Sequence, residues 1–255
     1  MQIGAPSSAF YNELESSMKK AVEIGLDTIE VVGEGPHFLN ETNIKKIKEF
    51  RNSFDLDLKI HAPFSDLNIA SLNEKIREET LKQILSSIEC SCEIKADIVN
   101  IHPGHLSPLG LRFPEKAWRN NIESMRKCAQ TAKDIGVKLT FENLPKREGV
   151  FCSTVEEVKT VIEEVPEIGF TLDIGHAFTT DNPMDFFELK FDHLHLHDND
   201  EKKDLHLPLG SGNIDISKVL KIIEDKKYSG SIILEAKNLL NLKKSLGYLR
   251  RLGMF

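Results

Sequence analysis

One rhythm limits what this chain can fold into more than any other feature. Short apolar segments rich in β-formers alternate eight times with amphipathic helical segments along 255 residues. Strands are expected at Gln2 to Gly4, Thr28 to Val32, Leu56 to His61, Asp97 to His102, Lys138 to Glu142, Gly169 to Asp173, His193 to His197 and Ser231 to Glu235. Helical patterns fill the intervals: Phe10 to Ile24, Asn43 to Asn52, Asn73 to Lys95, Pro114 to Ile135, Thr154 to Val165, Pro183 to Leu189, Ile216 to Lys226 and Leu239 to Arg250. Ser153-Thr154 and Asp215 read as helix starts, and Gly25 and Gly136 as stops. Eight βα units in about 250 residues predict an α/β fold, a single (β/α)8 TIM barrel. A doubly wound open sheet shares the alternation, because βαβ repeats do not by themselves show closure. No Pro/Gly/Ser-rich linker or composition break interrupts residues 1–255, so one domain is expected.

Six of the eight strand candidates end in a histidine or a carboxylate. Strand three ends with His61, strand four with His102, strand five with Glu142, strand six with Asp173 followed by His176, and strand eight with Glu235. Strand seven opens the densest stretch, FDHLHLHDNDEKKDLHLPLGSGNID, where His193, His195 and His197 alternate with leucines and Asp204 and His206 follow. Period-two alternation points the three imidazoles one way, and three imidazoles are costly to bury unless something binds them. In a barrel all strand C-termini meet at one face, so these residues would converge on one cleft. Neutral imidazole and carboxylate are common ligands of zinc and its neighbours, so a centre of divalent metal ions is expected.

Composition narrows the partners. A net charge of −7 argues against a protein whose main work is tracking phosphate backbones, although bound metal ions would add positive charge that a residue count omits. No apolar run is long enough to span a bilayer and MQIGAPSSAF does not read as a secretory signal, so a cytoplasmic protein is expected. Cys90, Cys92, Cys128 and Cys152 show no CxxC spacing and are expected to be reduced thiols, mostly buried.

The segments HAPFSDLNIAS, NIHPGH, FENLP, TLDIGHAF, HLHDND with DLHLPLGSGNID, and ILEAKN resemble the xylose isomerase-like TIM-barrel superfamily along nearly the whole chain. That superfamily holds sugar isomerases and epimerases and also the endonuclease IV family of AP endonucleases. The resemblance implies two metal patterns. A mononuclear isomerase or epimerase site would use Glu142, Asp173, His195 and Glu235, with zinc or manganese as the ion. A trinuclear zinc site of the endonuclease type would add His61 and His102, sharing Glu142, and His176 with Asp204 and His206. All nine positions are filled, so one to three ions per chain are implied.

The mechanisms implied differ. In an isomerase or epimerase Glu142 and Glu235 would act as base and acid on a small sugar or sugar phosphate. His176, His197, Gly210 and Ser211 are then candidates for binding substrate. In the phosphodiesterase reading the partner is nucleic acid, yet the loops SSAFYNE, GEGPHFLNET and HAPFSDLNIAS contain no Arg or Lys, and only Phe10, Tyr11, Phe38 and Phe64 as aromatics. A metal-binding barrel without catalysis is a third reading. Two departures from the family pattern stand out: Glu201 where the epimerases have an arginine, and Ser211 where many relatives have Glu. Gly210-Ser211-Gly212 would sit after strand seven, where barrels often bind phosphate through backbone N–H groups; a plain tight turn is the competing reading. The helix from Leu239 to Phe255 is expected to complete the outer ring, and the oligomeric state stays open.

Overall fold

In the computed structural model, which describes residues 1–10 and 12–254, eight parallel strands close into a barrel. The strands are β1 (Gln2–Pro6), β2 (Thr28–Val32), β3 (Asp57–His61), β4 (Ile98–Ile101), β5 (Lys138–Glu142), β6 (Gly169–Asp173), β7 (His193–Leu196) and β8 (Ser231–Leu234). Each neighbours the next in sequence, and β8 returns to β1 with Gln2 opposite Ser231 and Gly4 opposite Ile233. That last pairing excludes the open sheet. The strand ends lie within two residues of those expected.

The helices α1 (Leu14–Glu23), α2 (Glu41–Arg51), α3 (Glu74–Ile94), α4 (Pro114–Ile135), α5 (Val155–Glu164), α7 (Ile216–Asp225) and α8 (Leu239–Arg251) connect and surround the strands. Side-chain caps fix the starts of α5, α7 and α8: Thr154 Oγ1 accepts from Glu157 N, Asp215 Oδ1 from Lys218 N and Asn238 Oδ1 from Asn241 N. Gly25 (φ 84°) and Gly136 (φ 83°) stop α1 and α4 in the left-handed region that glycine occupies without penalty.

Three segments differ from expectation. The helix expected from Phe10 is divided into a 3-10 turn at Ser7–Phe10 and α1 from Leu14, and the Asn12 carbonyl between them is taken by His37 Nε2. Pro183–Glu188 is a 3-10 helix. A four-residue helix, α6 (Ile174–Ala177), starts directly at the end of β6, because Asp173 Oδ1 accepts from His176 N at 2.6 Å and caps it.

The strands have two unlike faces. Ile29 and Val31, Leu58 and Ile60, Val99 and Ile101, Leu139 and Phe141, Phe170 and Leu172, and Leu194 and Leu196 face outward, are at most 2% exposed and belong to the apolar core under the helices. At about 1.5–3 kcal/mol for each large side chain buried, this layer supplies much of the driving force for closure. The alternate residues face the lumen and are mostly polar. Contacts between strands that are not neighbours prove the direction: Glu30 of β2 reaches His193 and His195 of β7, and Thr171 of β6 reaches Asn100 of β4.

All four cysteines are free. Cys90, Cys128 and Cys152 are buried while Cys92 is exposed, and burial pushes the Cys90 and Cys128 thiols up to about 12. Among the described residues, no helix is long and apolar enough to cross a membrane.

Candidate metal centre

The nine expected ligands gather at the C-terminal end of the barrel in three groups, and a fourth, Asp173, His176, His197 and Glu235, bridges two of them. The deepest contains Glu142, Asp173, His195 and Glu235, each at the end of its own strand. His195 Nδ1 lies 3.4 Å from Glu142 Oε2, 3.1 Å from Glu235 Oε1 and 4.0 Å from Asp173 Oδ2. To one side, His61 Nε2 and His102 Nε2 stand 3.5 and 3.6 Å from Glu142 Oε2. To the other, His176, His197, Asp204 and His206 form the third group: Asp204 lies 3.5 Å from His176 Nε2, 3.6 Å from His197 Nε2 and 3.0 Å from His206 Nε2.

These groups fit metal ions. Asp173 Oδ2, His195 Nδ1, His197 Nε2 and Asp204 Oδ1 are buried and have no hydrogen-bond partner. Buried polar atoms are rarely left so, and these four lie in adjoining groups that could hold a cation. Two ligands about 2.0–2.1 Å from one tetrahedral ion stand about 3.3 Å apart, close to the separations observed. The donor set is nitrogen and oxygen without sulfur, which suits zinc, manganese and similar divalent ions.

The far side of most ligands is already engaged. His61 Nδ1 donates to the Ala62 carbonyl (2.9 Å) and His176 Nδ1 to the Asn143 carbonyl (2.9 Å). Because a carbonyl only accepts, those nitrogens carry the proton and Nε2 is left as the ligand atom. Asn100 Nδ2 donates to Glu142 Oε2 (2.7 Å), while Asn100 Oδ1 accepts from Thr140 and Thr171. Asn143 ties the ends of β5 and β6, donating to the Asp173 carbonyl and accepting from Asp173 N. At Gly175 a Cβ would sit 2.0 Å from the His197 ring, so glycine in α6 is what lets that imidazole pack beneath it.

Electrostatics follows from crowding. Burial alone would raise Glu142, but His195, His102 and His176 around it hold it well below the usual carboxylate range. Burial alone would lower His206, yet Asp204 and Glu235 raise it to about 9. His176 and His195 are likewise raised well above the usual imidazole value, against burial, by their carboxylate neighbours. The metal-free centre thus holds protons where cations would replace them.

A cavity of about 440 Å³ opens onto these groups, with His61, His102, Glu142, His176, Asp204, His206 and Glu235 in its wall. Phe64, stacked on His102 at 4.5 Å, Arg147 and Lys237 form part of its rim. A neighbouring cavity of about 330 Å³ shares Phe64, His102, Leu144 and Arg147 with it.

Not every expected site residue is brought to this cavity. His197 is 1% exposed and absent from the cavity wall; its ring stacks on His206 at 4.0 Å, so it stands with the ligand groups. Gly210 and Ser211 also lie off the cavity wall. The phosphate cradle expected of their turn is filled from inside, because buried Asp198 accepts from Gly212 N (2.8 Å) and Ile214 N (3.2 Å). Glu201 is exposed and absent from the cavity wall. Of the four loop aromatics, Phe10 is buried, Phe38 and Phe64 are exposed, and Tyr11 lies outside the described residues.

The sequence reading missed Glu30, a fully buried carboxylate against His193 and His195. Its signal was a single charge inside the apolar run TIEVV. Arg147 and Lys237 were missed as well, since they come from the loops after β5 and β8.

A closed parallel barrel with this crown of imidazoles and carboxylates at its C-terminal mouth defines a class of (β/α)8 proteins with groups that could hold divalent ions. The chain belongs to the xylose isomerase-like TIM barrel family, whose description matches residues 18–252. It is 37% identical over 254 residues to the uncharacterized protein MJ1311 of Methanocaldococcus jannaschii, covering 96% of this chain and 87% of that one. A solved structure described as a D-tagatose 3-epimerase-like protein superposes with a TM-score of 0.93 at 36% identity, covering 98% of this chain and 96% of the other. More distant relatives are the fructoselysine 3-epimerase of Shigella flexneri (27% identical, 85% and 83% covered) and a probable endonuclease 4 of Aquifex aeolicus (24%, 84% and 83%).

Proposed function

We propose that this protein is a divalent-metal-dependent epimerase or isomerase acting on a small sugar or sugar phosphate. The observation that supports it best is the placement of Glu142 and Glu235. They end β5 and β8, strands that are not neighbours, and both line the cavity within 3.4 Å of His195 Nδ1. A sugar between them meets a carboxylate on each side.

A divalent ion held by Glu142, Asp173, His195 and Glu235 would polarise the sugar carbonyl and acidify the adjacent C–H. One glutamate takes the proton from that carbon, and the electron pair of the broken C–H bond enters the enediolate. The other glutamate returns a proton to the opposite face for epimerisation, or to the neighbouring carbon for isomerisation. Asn100 holds Glu142 Oε2 by its amide, which fixes the carboxylate's plane. The side chains of Arg147 and Lys237 make no hydrogen bond or ion pair among the described residues and line the same cavity, which favours a substrate with an anionic group such as a phosphate.

The test is solvent exchange. Metal-loaded protein incubated in D2O with ketoses and their phosphates is expected to place deuterium at the carbon next to the carbonyl. Glu142→Gln and Glu235→Gln are expected to abolish the exchange. No wash-in from any sugar would remove the reading.

A second reading has one specific observation in its favour: the groups around His61–His102 and Asp204–His206 extend the centre beyond a mononuclear site. They suit a trinuclear phosphodiesterase of the endonuclease IV kind. Elemental analysis giving about three zinc ions per chain, with ions lost in His61→Ala and His206→Ala, and incision of an abasic-site duplex would establish it.

A further inference from the structure

The lumen contains a charged group that the proposed proton transfers do not use. Glu30 projects from the middle of β2, is 0% exposed, and faces two imidazoles of the opposite wall. We propose that Glu30 is a positioning residue that makes His195 a metal ligand, by taking the proton on the far ring nitrogen, and that His193 holds Glu30 in place. The proposal rests on the metal-centred reading above.

The geometry is directional. His195 Nε2 lies 3.1 Å from Glu30 Oε1 and 3.3 Å from Oε2, while His195 Nδ1 points the other way, into the deep group of Glu142, Asp173 and Glu235. An ionised carboxylate only accepts, so Nε2 carries the proton and Nδ1 keeps its lone pair for the ion. His193 Nε2 donates to Glu30 Oε2 at 2.6 Å, so the carboxylate is gripped from two successive lumen-facing positions of β7.

His195 needs this help where other ligands do not. His61 and His176 use Nε2 toward the ion groups and turn Nδ1 back onto a nearby backbone carbonyl. His195 is inverted: its inner nitrogen is Nδ1 and its outer one reaches across the lumen, where strand carbonyls are committed to the barrel ladder. A side chain from the opposite wall has to supply the acceptor, and Glu30 is the carboxylate that reaches it.

Glu30, His193 and His195 are themselves close enough to hold an ion, but the packing argues against one there. Nitrogen and oxygen ligands of a common ion stand about 3.3 Å apart. At 2.6 Å, His193 Nε2 and Glu30 Oε2 are at hydrogen-bond distance with no room for a cation between their lone pairs.

The experiment is imidazole 15N NMR on histidine-labelled protein, metal-free and then titrated with zinc, with Glu30→Gln and a lumen control, Thr28→Val, alongside. In wild type, zinc-bound His195 is expected to carry its proton on Nε2 alone, with its Nδ1 resonance moving on zinc addition. In Glu30→Gln the zinc concentration needed for that shift is expected to rise by about 10–100-fold, while Thr28→Val stays within about twofold of wild type. A zinc-bound His195 that has lost its Nε2 proton, or a Glu30→Gln variant that titrates with zinc like wild type, would overturn the proposal. Equal weakening in Thr28→Val would reduce Glu30 to general support of the lumen and overturn it too. Should Glu30→Gln not fold, the wild-type tautomer still decides. If wild type takes up no zinc at all, the metal reading fails, and the Nε2–H signal of metal-free His195, hydrogen-bonded to Glu30 in wild type and shifted in Glu30→Gln, reports on Glu30 separately.

Discussion

The outward and inward faces of the same eight strands make opposite uses of burial. Outward, Phe141, Phe170, Leu194 and their neighbours are buried against helices, where shape and hydrocarbon area suffice. Inward, residues equally hidden from water are Glu30, Asn100, Thr140, Glu142, Thr171, Asp173, His193 and His195. The lumen of a (β/α)8 barrel is more often filled with branched apolar side chains. Here a polar group buried without a partner would cost on the order of 1–3 kcal/mol, so almost every lumen residue is answered by another. Some atoms near the mouth, such as Asp173 Oδ2 and His195 Nδ1, have no partner and belong to groups that could hold an ion. One face makes the barrel; the other makes it reactive.

Adjacent residues of β5 give the sharpest test of this division. Glu142→Gln keeps the side chain's size and removes its charge; turnover is expected to fall by about 10²–10⁴-fold, with an unchanged far-ultraviolet circular dichroism spectrum. Phe141→Ala is expected to cost about 3–5 kcal/mol in urea unfolding, while the protein that remains folded turns over within a few-fold of wild type. If Phe141→Ala removed turnover from folded protein, or Glu142→Gln left it intact, the two faces would not be separable as described.

Gly175 lies at the boundary between packing and ligation. Its missing Cβ leaves room for the His197 ring, and alanine would place a carbon 2.0 Å from that ring. Gly175→Ala is expected to cost about 1–3 kcal/mol and to weaken ion binding by the group of His176, His197, Asp204 and His206 by about tenfold or more. Zinc titration against a competing chelator would read the second effect. Normal zinc affinity in a destabilised variant would make His197 a packing residue only.

Proton occupancy separates the faces by pH. His206 is raised to about 9 by Asp204 and Glu235, so in metal-free protein its pairing contributes fully below its unfolded value near 6.5 and is lost as pH rises through about 9. Asp204 is lowered, so its contribution is present above its unfolded value near 3.8 and is lost as pH falls further. The Tm of metal-free protein is therefore expected to decline between pH 6.5 and 9.5, by about 2–4 °C for each kcal/mol of pairing lost in a chain of this size. With zinc bound the trend is expected to reverse over the same interval, because ligation needs the unprotonated ring. Parallel profiles with and without zinc would place His206 outside the metal centre.

The outward face was legible in the sequence because it follows period: alternating apolar residues and eight βα units fix strands and helices without knowledge of partners. The gathering of the candidate ligands was legible because strand ends converge in this fold, which turns spacing into proximity. Glu30 was not, since nothing local says that residue 30 of β2 meets residues 193 and 195 of β7 across a lumen. Asn143 was passed over for a similar reason: its service to Asp173 and His176 exists only once β5 and β6 are paired. The turn at Gly210–Ser211 left two readings open, a phosphate-binding turn and a plain tight one. Its glycines suit a phosphate cradle locally, and only the fold brings buried Asp198 to fill it.

That turn and the cavity rim supply the smallest expected difference. Ser211 is exposed and lies off the cavity wall, so Ser211→Ala is expected to leave KM and kcat for any substrate unchanged and stability within about 0.5 kcal/mol. Arg147 is exposed too, but it lines the cavity unpaired among the described residues. An exposed charge pair contributes about 0.2–1 kcal/mol, so Arg147→Ala is expected to raise KM for a sugar phosphate by up to about fivefold and to leave KM for the unphosphorylated sugar alone. Raised salt should remove the same advantage from wild type, since screening acts on the pair and not on the metal ligands buried below it. If Ser211→Ala rather than Arg147→Ala discriminated between the two sugars, the phosphate would be held at the turn after β7, with Asp198 displaced from its N–H groups to admit it.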